Sequence, residues 1–274
     1  MSGVERIAEA FESARANGRG AALMPYLMAG YPDLETSIEI ARAYVEGGAD
    51  LIELGIPFSD PLADGPVIHA ADVAALRAGA TVHDALQVAR AVAGDVPVVV
   101  MCYVNPILAR GFERFADMLV EVGAAGLIVP DLPLEEAPMA LAACDQRGLA
   151  LVPLVAPTTP EDRLAQIGAR ARGFLYTVSV TGTTGERASA DSALPGILAR
   201  AKAHTDVPVA LGFGIGTPEQ ATAAARAGAE GVIVGTRLVR AAGEAGSLGA
   251  EAAVSAVREL VQGFSEALRV ATLG

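Results

Sequence analysis

The chain has no tryptophan, a single lysine, two cysteines and three histidines in 274 residues, and aromatic side chains make up only 4% of it. Each shortage removes a class of chemistry. The two thiols, Cys102 and Cys144, form neither a disulfide framework nor a zinc motif and read as small buried hydrophobes. The lone lysine, Lys202, lies in the helical-looking stretch PGILARAKAHT, where it is expected to face solvent. An imine-forming aldolase, or an enzyme holding pyridoxal phosphate covalently, needs a desolvated lysine at its site, so neither reading fits. His69, His83 and His204 are scattered without paired ligand spacing, which argues against a metal centre and against histidine-run catalysis. Acid/base work then falls to carboxylates.

There is also no basic cluster, and the formal net charge is −12. Such a surface repels phosphate backbones and anionic headgroups, so neither a nucleic acid nor a membrane is an expected partner. No run approaches the ~18 apolar residues of a membrane span. The opening residues, MSGVERIAEAF, carry acids and lack the apolar core of a signal peptide. A soluble, cytoplasmic protein is the expectation. Hydrophobic residues nevertheless make up 52% of the chain. With so few aromatics, the core must come from Ala, Val, Leu and Ile, which suits helices packed on parallel strands.

A pattern recurs in which a helix ends in Gly-Ala and a short apolar strand follows: GGADLIELG (47–55), GAAGLIVPD (123–131) and GAEGVIVG (228–235). A variant places Asp-Val-Pro before the strand, in DVPVVVMCY (95–103) and DVPVALGFG (206–214). Segments of helical period lie between, most closed by glycine. The strands are continuous apolar runs, the mark of burial on both faces of a parallel sheet. Eight are expected, at about 22–28, 50–54, 96–102, 125–129, 149–154, 173–178, 207–211 and 230–234. A helix follows each, one precedes the first, and an extra one falls near 66–78. This arithmetic predicts an α/β fold, a (β/α)8 TIM barrel of one domain spanning 1–274, with an extra N-terminal helix and an extra helix after strand 2. A doubly wound open sheet is the alternative, but no Gly-rich phosphate loop follows strand 1.

In such barrels the reacting groups sit at the C-terminal ends of the strands. Strand 2 carries Glu53, which alternates with Ile52 and Leu54 and so points into the barrel mouth. Partial desolvation there raises a carboxyl's pKa and lets it carry a proton either way near neutrality. The alternative is a structural acid paired with Arg or backbone amides. The loop that follows, GIPFSDPLADGP, holds Asp60 and Asp64. Both also read as turn or cap residues, and spacing does not separate them. After strands 7 and 8 come GFGIGTPEQ (212–220) and VGTRLV (234–239). Gly212, Gly214, Gly216 and Gly235 let the main chain approach an anion, Thr217 and Thr236 add hydroxyls, and barrels commonly bind phosphate at these two loops. The loop after strand 6, SVTGTTGERASAD (179–191), suits a lid, with Thr184 and Gly185 as further anion donors. Tyr176 and Tyr103 suit the wall of a flat apolar pocket and equally suit a core.

Taken in order along the chain, PYLMAGYPD, ELGIPFSDPLADGPVIH, YVNPI, DLPLEE, SVTGTTGER and GFGIGTPEQ resemble the tryptophan synthase alpha subunit family. The resemblance implies a (β/α)8 barrel that cleaves indole-3-glycerol phosphate to indole and glyceraldehyde 3-phosphate. It implies catalytic carboxylates at Glu53 and Asp64, and so favours Asp64 over Asp60. It implies a substrate pocket of Tyr176, Tyr103, Thr184, Gly185, Gly212, Phe213, Gly214, Gly235 and Thr236. It further implies no cofactor in this chain, and a pyridoxal-phosphate beta subunit as partner in an α2β2 complex. That partner would be met by loops around Asn105-Pro106 and Asp131–Glu136. Thr236 stands where the family often has serine, which keeps the hydroxyl, and Arg237 follows it. Two other readings fit the phosphate loops. A flavin-dependent barrel would be coloured when purified, and a phosphosugar-binding module would release no indole.

Overall fold

The computed structural model describes residues 1–178, 187–212 and 214–270, the side chains of 187–193 and 270 excepted. Nine strand segments pair in parallel: β1 (Ala22–Met28), β2 (Ile52–Gly55), β3 (Val98–Met101), β4 (Gly126–Ile128), β5 (Ala150–Val152), β6 (Leu154–Val155), β7 (Leu175–Val178), β8 (Val209–Gly212) and β9 (Gly231–Val234). Their order is β5-β4-β3-β2-β1-β9-β8-β7-β6. The two ends of that order, β5 and β6, are consecutive in the chain, so the sheet closes on itself through one residue, Pro153. The expected strand at 149–154 is therefore present but split. Proline has no N–H to give to a ladder. Its carbonyl still takes part, accepting from the Tyr176 amide at 3.0 Å.

The helices are α1 (Gly3–Ala16), α2 (Leu34–Glu46), α3 (Pro66–Arg77), α4 (Val82–Val92), α5 (Val104–Leu108), α6 (Phe112–Glu121), α7 (Pro138–Asp145), α8 (Glu161–Arg170), α9 (Arg187–Lys202), α10 (Pro218–Arg226), α11 (Thr236–Gly246) and α12 (Ala250–Val270). The expected N-terminal helix is α1 and the expected extra helix after strand 2 is α3. Three details differ from the sequence expectation. Asn105 and Pro106 lie in the short helix α5, not in a loop. Residues 187–191, read as part of the strand-6 loop, open α9. Two helices follow the last strand where one was expected.

Side chains that alternate along each strand build two separate cores. The outward set, including Leu27, Ile52, Val98, Leu127, Leu175, Leu211 and Val232, packs under helical residues such as Ile40, Tyr44, Phe115, Leu119, Val261 and Phe264. Full burial of each such Leu, Ile or Phe contributes roughly 1.5–3 kcal/mol. The inward set includes Met24, Val99, Ala150, Phe174, Ala210 and Ile233, and it is completed by Ile7, Phe11 and Ala14 of α1. Those three are spaced i, i+4, i+7, one face of the helix. A capping box of Ser2 and Glu5 starts α1, and the Val4 amide donates to the Gly148 carbonyl just before β5. The helix thus stoppers the end of the barrel where the strands begin. Nearby, the buried Arg19 guanidinium pairs with Asp50 and also donates to the Gly48 carbonyl at 2.7 Å and to Ser265 Oγ at 2.9 Å.

Candidate active site

At the opposite end the strands finish in polar groups. Glu53 sits between Ile52 and Leu54, both in the outer core, so its side chain turns inward. In the ladder it lies opposite Tyr26 on one side and Val99 on the other. It is only 1% exposed, and its Oε2 is without a hydrogen-bond partner. Burial pushes this carboxyl up to about 8, and the negative charge of Asp64 adds to the rise. A glutamate in that state holds its proton at neutral pH yet can part with it.

Asp64 and Asp60 are set apart by their surroundings. Asp60 is exposed and accepts from the neighbouring Ser59 hydroxyl at 2.5 Å. Asp64 is half-buried and faces the site. The Tyr103 hydroxyl donates to its Oδ2 at 3.1 Å and accepts from the Ala63 amide at 2.9 Å. Burial holds the Asp64 carboxyl above its usual range, with the Tyr103 hydrogen bond and nearby His69 opposing but not cancelling the rise. Tyr103 is itself stacked on Phe58 of the same loop, with ring centroids 5.1 Å apart and planes at 22°. The two acids therefore differ in kind. Glu53 is deeply buried with its Oε2 unpartnered, whereas Asp64 is half-buried and accepts from a hydroxyl donor, which favours its anion.

Two further residues at the mouth were not picked out from the sequence. Tyr26 on β1 is buried, and the charges of Asp64, Asp72 and Glu53 all bear on its phenol, with desolvation the largest cause of its raised pKa. Its hydroxyl takes the space a side chain would occupy at Gly55, where a Cβ would lie 2.0 Å away. Asp72, on α3, is 1% exposed. Its Oδ1 accepts from the Phe58 amide at 3.0 Å, and its Oδ2 is unpartnered. Burial, less the effect of that amide and with Asp64 adding, pushes it up to about 7. The signal for Asp72 was available: Ile68, Asp72 and Ala75 share the i, i+4, i+7 stripe that faces inward.

Of the other expected site residues, Tyr176 is buried on β7, and the charges of Glu53 and Asp64 raise its phenol beyond the effect of burial. Its ring lies over Gly212, where a Cβ would come within 2.3 Å of the hydroxyl. Gly212 therefore makes room for a phenol. Gly214 holds a left-handed backbone, φ 85°. The two helix ends offered for an anion are not equivalent. At α10 the Thr217 side chain caps the Gln220 amide, and Gln220 Oε1 accepts from the Gly216 amide at 2.8 Å and from the Thr217 amide at 3.1 Å. Thr217 is thus a cap, and those donors are occupied. At α11, Gly235 is the N-cap and no side chain caps the helix, so the amides beside Thr236 are open to an anion. Thr184, Gly185 and Phe213 lie outside the described residues.

Lys202 pairs with Glu230 at 3.5 Å, at the start of β9 and hence at the stoppered end. The only lysine is remote from the mouth. Among the described residues no group of three or more His, Cys, Asp or Glu is placed to hold a metal ion. A cavity of about 440 Å³ opens elsewhere, between α7, α8 and the split strand, lined by Leu134, Leu141, Leu151, Pro153 and Ile167 and by none of these acids.

Buried carboxyl groups gathered at the mouth of a (β/α)8 barrel, with the uncapped N-terminus of α11 open to an anion, are the arrangement of a barrel suited to acid/base chemistry on an anionic substrate. Comparison with known proteins supplies the family. Residues 11–269 match the family described as Tryptophan synthase alpha chain, and the chain belongs to it. It is 50% identical over 236 residues to the tryptophan synthase alpha chain of Prochlorococcus marinus (strain MIT 9313), covering 85% of this chain and 86% of that one. It is 45% identical over 262 residues to that of Methanosarcina mazei, covering 96% and 95%. Among solved structures, tryptophan synthase subunit alpha from Legionella pneumophila superposes with a TM-score of 0.87 at 36% identity, over 96% of this chain and 98% of that one. A ligand-free tryptophan synthase from M. tuberculosis gives 0.86 at 39% identity, over 98% and 100%.

Proposed function

We propose that Glu53 and Asp64 share the proton work of a retro-aldol cleavage. The reaction is that of the tryptophan synthase alpha chain: indole-3-glycerol phosphate is split to indole and glyceraldehyde 3-phosphate, which makes the chain a carbon–carbon lyase. The observation that carries the assignment is Glu53, a carboxyl 1% exposed, unpartnered at Oε2 and pushed up to about 8 by burial. Being neutral at pH 7, it gives its proton to indole C3. The resulting indolenine is cationic at nitrogen, and the Asp64 carboxylate beside that N–H stabilises it. Glu53, now an anion, takes the proton from the hydroxyl on the carbon attached to C3. That carbon becomes the aldehyde as the carbon–carbon bond electrons return to indole. Glu53 ends as it began, and no proton is gained or lost.

Tyr103 and Tyr176 form the indole pocket in this reading. The phosphate is tethered at the N-terminus of α11, by Gly235 and Thr236, with Gly214 and, from the strand-6 loop, Thr184 and Gly185. Gly212 and Phe213 complete the wall. Anchoring relies on neutral amides and the helix dipole rather than lysine. The whole chain, 1–274, serves as one domain.

The partner in this proposal is a tryptophan synthase beta subunit, in an α2β2 complex, with pyridoxal phosphate held by that subunit. Leu62 on the strand-2 loop is 91% exposed and Leu108 on α5 is 55% exposed. Leu62 follows β2 and Leu108 follows β3, at the end of the barrel where this proposal seats the partner. In the 131–136 segment Glu135 is held by a two-pronged contact from Arg163, at 2.7 and 2.9 Å. No helix among the described residues is long and apolar enough to cross a membrane, and a cytoplasmic site of action completes the proposal. The test is indole release from indole-3-glycerol phosphate, with and without the beta subunit. Release that the beta subunit accelerates is expected; a chain that binds the substrate and releases no indole in either setting would refute it.

A further inference from the structure

Asp72 needs an explanation. It sits mid-helix in α3 on a stripe otherwise made of Ile68, Ala71 and Ala75. A buried acid is rare in such company, and an oxygen left without a partner works against the folded state. What the carboxyl does is hold the strand-2 loop. Its Oδ1 accepts the Phe58 amide at 3.0 Å, three residues beyond the end of β2. The Phe58 ring lies on Tyr103, and the Tyr103 hydroxyl both accepts the Ala63 amide and donates to Asp64. One line of contacts thus runs from α3, through the loop and β3's end, to the acid at the mouth. Pro57 and Pro61 flank Phe58 closely and leave the loop few ways to bend, so a single tether goes far.

We propose that Asp72 is a positioning residue, which by holding the Phe58 amide seats the Phe58–Tyr103 stack and so aims the Tyr103 hydroxyl at Asp64. The inference rests on the reading of Asp64 as the carboxylate beside indole. Burial and the charge of Asp64 keep Asp72 up near 7, so close to neutrality much of it is uncharged and its nearness to Asp64 is tolerated. An apolar residue of similar size would remove the stranded oxygen but leave the Phe58 amide unpaired and the loop free to shift.

The test uses Asp72→Leu, Asp72→Asn, Phe58→Leu and the Asp72→Leu/Phe58→Leu pair, each assayed for indole release alone and with the beta subunit. Displacing a reacting group by about an ångström costs about 100-fold in turnover. Asp72→Leu is expected to lose about that in kcat with KM changed only a few-fold, because the phosphate tether at α11 is untouched. Asp72→Asn keeps an oxygen acceptor and should recover most of the loss. The double variant should be no slower than the slower single one, because both changes cut the same line. Wild-type kcat in Asp72→Leu, an Asn variant as slow as the Leu variant, or losses that multiply in the double would overturn the proposal. If Asp72→Leu does not fold, Asp72→Asn and Phe58→Leu still decide it: Phe58→Leu with wild-type kcat overturns it. Asp64→Asn runs in parallel. Full activity there sinks the reading of Asp64, whereas loss there with an active Asp72→Leu sinks only the tether.

Discussion

The two ends of the barrel treat buried charge in opposite ways. At the stoppered end, Arg19 and Asp50 are paired, and the Arg19 guanidinium also reaches a carbonyl and a hydroxyl. At the mouth, Glu53 and Asp72 are buried more deeply still, yet each keeps an oxygen with no partner. Burial raises a carboxyl at both ends, but a cation opposes the rise at Asp50 and none does at Glu53 or Asp72. Under the proposed function one end serves stability and the other chemistry, a division of labour this fold makes easy because strand ends of one sense all finish together.

Breaking each end should therefore cost a different quantity. The largest effect is expected from Glu53→Gln, which removes both proton transfers, each about 10²–10⁴ in rate, so kcat for indole release should fall at least about 10⁴-fold. The same variant should change how stability depends on pH. Glu53 titrates near 4.5 when unfolded and at about 8 when folded. Between these values the folded state holds a proton the unfolded state has lost, so its contribution is full below about 4.5 and disappears as pH rises through about 8. Thermal melts at pH 5 and 8.5 should show Glu53→Gln gaining on wild type at the higher pH; parallel melts would contradict the raised pKa.

Next comes Arg19→Met at the other end, which strands Asp50 without its cation. Urea unfolding should register a loss of about 3–5 kcal/mol, while kcat of the folded enzyme stays at the wild-type value. A variant that kept its stability and lost its turnover would erase the contrast between the ends. Asp64→Asn should lower kcat about 10²–10³-fold, with binding of a non-cleavable phosphorylated analogue retained by titration calorimetry. The smallest effect belongs to Thr236→Val. Loss of one hydroxyl donor to a charged group should raise KM about 10-fold and leave kcat in place.

The comparison also explains what was legible beforehand. Strands were readable because most of their residues are buried on both faces and so appear as largely apolar runs; the β1 run matches residue for residue, at Ala22–Met28. Glu53 was readable because a carboxylate interrupts such a run. The choice between Asp60 and Asp64 was not, since both stand beside Pro or Gly and only the folded loop turns one outward and the other toward Tyr103. Tyr26 escaped notice because an aromatic in an apolar strand looks like core until its neighbours are known to be acids. Thr217 passed for an anion donor because a cap and a ligand use the same hydroxyl. Pro153 was visible, but that the ring would close across it is a fact of three-dimensional pairing.

Because α1 fills the floor of the cylinder, the interior is a cup and not a pipe. Under the proposed function, a substrate entering at the mouth must leave over the same rim. A single covering surface on that rim would then govern arrival and departure alike, and would hand each released fragment onward or keep it waiting.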